Sequence, residues 1–340
     1  MKGRQIILDH LNGREAAALM VNGKLHDILV DSDAPRPGTI YRAVADRPVK
    51  GQGGMFLKAP DGNVFLRQVK GLKQGQSILV QVTGYAEDGK AVPVTQKLLF
   101  KSRYAIVTPG APGVNVSRSI RDDDLRETLK EIAHEVLDDS DHGLILRSNC
   151  TAEERDAIAE DIADMQSLAQ SVLSDAEGAP ELLAEGDGPH LTAWREWSEP
   201  AEVVTSAGSF ESHGVLDAIE DLKSARVPLG QGAFMYVEPT RALVAVDVNT
   251  GSDTSPAAAL RANIAAAKDL PRQLRLRGLG GQITLDLAPM PKKDRRSFEM
   301  SLRAAFKADR IETILAGWTP LGHFELQRKR ERLTLSEALA

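Results

Sequence analysis

Two aspartates and one asparagine have the types and spacing to do chemistry. Each aspartate interrupts an otherwise apolar run, LVAVDVN at 243–249 and QITLDLAP at 282–289. Alternation with a period of two puts Leu243, Ala245, Asp247 and Asn249 on one face of the first run and Val244, Val246 and Val248 on the other. In the second run Thr284 and Asp286 share a face opposite Ile283, Leu285 and Leu287. A carboxylate in such a strand is costly unless it is paired, hydrogen-bonded or bound to a metal. Both stand near the C-terminal end of their run, where open α/β sheets place ligands. Two carboxylates with an amide carbonyl offer hard oxygens, which suit Mg²⁺ or Mn²⁺ far better than zinc. Such an ion can polarise a phosphoryl oxygen and lower the pKa of a bound water for in-line attack. The other reading is structural, with Asp247 and Asp286 pairing with Arg275 or Arg277 of the neighbouring helix.

Strands and helices must alternate to deliver those residues. After 243–249 comes SPAAALRANIAAAKDLPRQLRLRGLGG, with Ser255 as N-cap, Pro256 at the first helical position and a glycine stop. Pro271 within it is expected to kink or split the helix. The run 282–289 follows as a strand, then an amphipathic helix burying Phe298, Leu302 and Phe306. The last third is thus an α/β unit. At the other end, Ile6 to Leu8, Ala16 to Val21 and Leu25 to Val30 read as strands separated by Asn-Gly turns at 12–13 and 22–23. The stretch DSDAPRPG, 31–38, reads as a linker. The middle, about 122–184, has helical periodicity around the strand GLILRSN (143–149), and 177–200 reads as an acidic, Gly- and Pro-rich loop.

Between linker and helices, TIYRAVA, GGMFLKA, GNVFLRQV and SILVQVTGY predict a small five-stranded barrel. Its exposed side would carry Phe56, Phe65, Arg67, Lys58 and Lys70, rings for bases and cations for phosphates. The alternative is that Phe56 and Phe65 are barrel core.

Charge is segregated. Residues 1–103 hold 16 Lys and Arg against 9 Asp and Glu, 121–202 hold 6 against 23, and 268–310 hold 11 against 5. A polyanion responds to the basic blocks more than to the net charge of −6, although such blocks are also what solvated helix faces look like. With 340 residues and 42% hydrophobic composition the chain can bury a core of its own. Its single cysteine, Cys150, excludes an internal disulfide and a cysteine-based zinc site within one subunit. No stretch approaches a membrane span, so the cytoplasm is the expected compartment. None of His142, His190, His213 and His323 is assigned a role, because a lone histidine is more often structural.

The segments AVDVNTG (245–251), RQLRLRGLGGQITLDL (272–287), Arg310, Gly322 and FELQRKR (324–330) resemble, in order and spacing, the catalytic half of the ribonuclease E/G endoribonucleases. GTIYRAV (38–44), VSRSI (116–120) and GLILRSN add weaker support. The resemblance implies an α/β, multi-subdomain fold. Residues 1–36 and 190–225 would form an RNase H-like domain, with an inserted S1/OB-type β-barrel at 37–101. A 5′-sensor-like segment would occupy 102–189, and a DNase I-like catalytic subdomain 226–340. It implies Mg²⁺-dependent cleavage of single-stranded RNA, leaving 5′-phosphate and 3′-hydroxyl ends, in RNA processing or decay including rRNA maturation. Asp247 and Asp286 would be the metal ligands, with Asn249 assisting. Arg147 and Ser148 stand where the family binds a 5′-monophosphate, and Arg118 with Arg328 or Arg330 match basic residues that approach RNA. The family's zinc-bridging cysteines are missing, so no zinc and no zinc-linked tetramer is expected, while another homo-oligomer stays open. Pro289 stands where the family commonly has an acidic residue. The rival function is a non-catalytic RNA-binding regulator that works through the S1-like barrel.

Overall fold

Both Asn-Gly pairs turn the chain through left-handed residues, with φ of 53° and 78° at Asn12 and Gly13 and of 51° and 76° at Asn22 and Gly23. That is type I′ geometry, whose twist matches the flanking strands. The turns join Arg4–Leu11, Arg14–Val21 and Lys24–Val30 into an antiparallel meander, and Glu202–Val204 adds a parallel strand at its edge. The computed structural model describes residues 3–49, 53–69, 71–87, 89–137 and 141–340. They divide into two units, Met1–Ser32 with Pro200–Ala340, and Asp33–Glu199. The 31–38 stretch contains neither helix nor strand.

In the Asp33–Glu199 unit, five strands close into a barrel. Ile40–Val49, Gly54–Ala59, Gly62–Leu66, Val92–Thr95 and Ser77–Val82 are neighbours in that order, and the last pairs back onto the first. Closure gives each strand two neighbours, but Gly54–Ala59 reaches only Val44–Val49, so the Ile40–Arg42 end of the first strand keeps one side for a further strand. Tyr41, Leu57, Val64, Leu66, Val80 and Val82 fill the interior. A second sheet orders Phe100–Lys101, Ala105–Pro109, His142–Leu146 and Gly113–Val116, with helices Asp123–Val136 and Arg155–Ser174 sharing its core through Leu129, Ile132, Ile158 and Ile162.

Residues 177–200 are not the loop that composition suggests. Glu181–Ala184 is a strand paired antiparallel with the barrel strand Ile40–Val49, and Arg42 pins that edge by pairing with Asp175 and Glu181. Four residues carry too little alternation to be recognised locally, and their partner lies about 140 positions away. Pro189–Glu196 is a helix with Gly188 as its cap and Pro189 in the first turn, a start signal that the surrounding acid obscures.

The other unit is built on a six-stranded sheet, Arg226–Gly230, Ala233–Pro239, Val244–Asn249, Gly281–Asp286, Phe324–Arg328 and Thr313–Trp318 in spatial order. Only the central pair, Val244–Asn249 with Gly281–Asp286, is parallel. A parallel pair needs a long crossover, and helix Pro256–Leu276 supplies it. That helix and Lys292–Ala308 share a core with one sheet face, through Met235, Val246, Ile283, Leu285, Leu270, Leu274, Phe298 and Leu302. The crossover helix starts at Ser255, whose side chain accepts from the Ala258 amide at 3.2 Å. It ends in a Schellman turn at Gly278, where φ is 65°, with the Leu279 amide bonded to the Leu274 carbonyl at 2.8 Å. The helix runs unbroken through Pro271 instead of splitting there. Ala266 and Ala267 before the proline and Leu270 and Leu274 around it pack into one core, which holds both halves in line.

The arginines at the end of this helix are structural. Arg272 donates to Asp269 at 2.6 Å and to the Leu25 carbonyl at 2.7 Å. Arg275 pairs with Asp27 at 3.3 Å and with Asp309, and Arg277 donates to the Ser224 carbonyl at 2.9 Å and to Gln273. Arg328, expected from the family resemblance to approach RNA, is 1% exposed. Its guanidinium is spent on Asp309 at 3.0 Å and Thr313 at 2.9 Å, so it contributes to the fold and not to a surface. Arg332 closes the network by pairing with Asp27 at 3.1 Å.

Candidate active site

The parallel pairing makes Asp247 and Asp286 direct partners in register on adjacent strands. Val246, Val248, Ile283 and Leu285 point into the core, whereas both aspartates are exposed, Asp286 with 69% of its side chain accessible. Neither is paired with Arg275 or Arg277, whose guanidinium groups are committed elsewhere. The Asn249 amide donates to Asp247 Oδ2 at 2.8 Å, which orients that carboxylate. His323 Nε2 stands 3.7 Å from Asp286 Oδ1, on a turn closed by the Thr319 amide donating to the His323 carbonyl at 2.8 Å.

One support escaped sequence reasoning. Asn263, fully buried on the crossover helix, donates to the Ala288 carbonyl at 2.8 Å and accepts from the Ala288 amide at 3.0 Å. This clamp fixes the chain two residues beyond Asp286. Its only trace in the sequence is one polar residue on an alanine-rich helical face.

Among the described residues no group of three or more His, Cys, Asp and Glu side chains is placed to hold a metal. Two exposed carboxylates beside an amide suit an ion that keeps most of its water, as Mg²⁺ does. They do not make a closed zinc site.

On the barrel, Phe56 and Phe65 are direct cross-strand partners with ring centroids 5.3 Å apart. Both are half-buried, while Met55, Leu57, Val64 and Leu66 point inward, so these rings lie outside the barrel core. Arg47 places its guanidinium 5.1 Å from the Phe56 ring. Gly54 makes room for the Phe65 ring, which a side chain there would have to displace. Lys58 is exposed and 3.7 Å from Asp46, and Arg67 is exposed. Lys70 lies outside the described residues. The patch can stack bases and pair with phosphates.

Arg118 is exposed just beyond Gly113–Val116. Arg147 is held by the Ser102 carbonyl at 2.6 Å and by Glu196 at 2.9 Å, whereas Ser148 is exposed. Burial raises the Glu196 carboxyl, but Arg147 and Arg195 outweigh it, and its pKa lies below the usual value. Burial pushes the Cys150 thiol up to about 12, so it is no nucleophile. Arg330 is exposed and lies against Gly280 and Gly281. No described helix is long and apolar enough to cross a membrane.

The description "Ribonuclease E/G family" belongs to the family model that matches residues 100–203 and 196–331. The chain is 27% identical to a ribonuclease E of a Synechocystis species, over 95% of this chain and 56% of that protein. It is 29% identical to a ribonuclease G of Salmonella typhimurium, over 79% of this chain and 62% of the relative. With a ribonuclease G of Haemophilus influenzae the identity is 25%, over 100% and 82%. The chain thus spans less than two thirds of the first two of these relatives. Since the family model covers well over half of the residues and includes both aspartate strands, the chain belongs to the ribonuclease E/G family.

Proposed function

We propose that the protein is a Mg²⁺-dependent endoribonuclease acting on single-stranded RNA. The observation that carries this reading is the placement of Asp247 and Asp286 as in-register partners on two parallel strands, both open to solvent. Asp247 and Asp286 would hold the ion, and Asn249 keeps the Asp247 carboxylate turned toward it. When bound, the ion supplies a water of lowered pKa and a polarised phosphoryl oxygen, which leads to 5′-phosphate and 3′-hydroxyl products. Glu325, opposite Thr284 on the same face, adds negative charge, so a bound ion also lowers the repulsion that an RNA phosphate meets at this face. The barrel face of Arg47, Phe56, Phe65 and Arg67 binds unpaired bases and phosphates. In the family's terms, the barrel is the S1-like part, the N-terminal meander belongs to the RNase H-like part and the six-stranded sheet to the DNase I-like part. A cytoplasmic location fits this activity.

The test is incubation of purified protein with a fluorescent single-stranded oligoribonucleotide, with Mg²⁺ and with EDTA. Cleavage is expected only with the metal; binding without cleavage would leave the barrel as the working part. Affinity in EDTA should fall by at least tenfold between 50 and 200 mM salt if about three phosphates are neutralised. A flat response would remove the basic faces from the interface.

The 5′-end pocket is a separate expectation. Arg147 would have to exchange or share Glu196 to take a 5′-phosphate. Arg147→Ala should reduce the preference for 5′-monophosphate over 5′-hydroxyl substrates by roughly tenfold, the worth of a charge-assisted hydrogen bond. Equal rates on both substrates in the unaltered protein would discard the pocket.

A further inference from the structure

The face that carries the two aspartates continues across the neighbouring hairpin. Tyr236 is the direct cross-strand partner of Asp247, and Phe234 that of Asn249, so both rings stand on the same side of the sheet as the carboxylates. Between and beyond them Met235 and Val237, 0% and 1% exposed, fill the core from the opposite side. Phe234 and Tyr236 are half-buried and outside that core, edge to face with centroids 5.5 Å apart. On the next strand Arg226, the partner of Tyr236, is exposed and lays its guanidinium 4.2 Å from the Phe234 ring centroid. A cation over a ring is worth about 0.5–1 kcal/mol at an exposed site. That is too little to explain two rings set on the outer side of a sheet, where each leaves part of its surface in water instead of in the core.

We propose that Arg226, Phe234 and Tyr236 form a nucleobase-stacking subsite for the nucleotide beside the scissile phosphate of a single-stranded RNA. The proposal rests on the endoribonuclease reading and says how substrate is held at the Asp247 and Asp286 face. Adjacent strands are about 4.8 Å apart, so the rings lie one to two strand spacings from the carboxylates, the distance separating a base from its own phosphodiester. The guanidinium meets either the π-face of the base or the flanking phosphate. Stacking on a protein ring requires a base that is not stacked in a duplex. The subsite therefore favours unpaired RNA without reading its sequence.

The experiment uses the full chain and three variants, Phe234→Leu, Tyr236→Leu and Phe234→Trp. Affinity for a labelled single-stranded oligoribonucleotide is measured by anisotropy in EDTA. Cleavage with Mg²⁺ is then measured on that RNA and on one with an abasic nucleotide beside the mapped cleavage site. Each leucine variant is expected to bind roughly tenfold more weakly, in line with the worth of one stacked base, at an unchanged melting temperature, and Phe234→Trp to bind like the unaltered protein. The abasic nucleotide should lower kcat/KM about tenfold in the unaltered protein and leave Phe234→Leu unaffected. Equal binding by Phe234→Leu, or an abasic penalty of the same size in both proteins, overturns the subsite and leaves the nuclease reading standing. Absence of cleavage by the unaltered protein overturns the nuclease reading, and the anisotropy series then decides the subsite alone, weaker binding rescued by tryptophan supporting it and equal binding ending it.

Discussion

Asp247→Asn and Asp286→Asn should each lower the cleavage rate at least about a thousandfold, while affinity for RNA in EDTA and the melting temperature stay close to those of the unaltered protein. If the two aspartates hold the ion, removing one charged ligand would forfeit several kcal/mol of charge stabilisation in the transition state, and each 1.36 kcal/mol is about a factor of ten. The exposure of both side chains is what separates this from a folding defect, because no core contact and no buried ion pair depends on either. The measurement is single-turnover cleavage at saturating Mg²⁺ beside a thermal melt. A variant that turns over at the original rate would remove these residues from the reaction.

Asp309→Asn should be the most destabilising polar substitution in the unit that carries the aspartates, by about 3–5 kcal/mol, the cost of stranding a buried charge. The Asp309 carboxylate is 1% exposed and meets both Arg275 and Arg328, so its neutralisation leaves two buried guanidinium groups short of a counter-charge. A loss of roughly 10 °C in melting temperature follows for a unit of this size, and a variant melting within a degree of the parent would show that the network contributes nothing. The same network sets a pH dependence. Burial raises the Asp27 carboxyl, but Arg332 and Arg275 more than offset it and hold its pKa below the ordinary value. A depressed folded pKa contributes stability that is complete above the unfolded value of about 4 and is lost as pH falls through the folded one. The urea midpoint should therefore keep the Asp27 contribution between pH 7 and about pH 5 and lose it as pH falls below about 4, and the loss should be smaller in Asp27→Asn.

What could be read in the sequence is what local physics decides. Asn12-Gly13 and Asn22-Gly23 have one good conformation between strands, Ser255-Pro256 has one good place on a helix, and the alternation around Asp247 and Asp286 leaves each carboxylate one side to face. What could not be read depends on partners far along the chain. Arg328 looks like a surface cation until Asp309 and Thr313 arrive beside it, and 181–184 becomes a strand only because Ile40–Val49 offers an edge. Phe56 and Phe65 show both halves of the lesson, since the alternation that puts them on one face was visible but which face would be wet was not. Asn263, His323 and the Arg226, Phe234 and Tyr236 group stayed hidden for the same reason: each meets its neighbours only in the closed fold, Asn263 from a helix to the chain beyond a strand, His323 from a turn and the other three across the sheet register.

The pairing of Asp27 with Arg332 joins groups 305 positions apart in the chain. On a ribosome the first three strands emerge early and must then wait for their counter-ions. At 5–20 residues per second the delay is on the order of tens of seconds, during which the Asp33–Glu199 unit, continuous in sequence, is free to finish. The part of the molecule that carries the aspartates is thus assembled last, after the five-stranded barrel already exists.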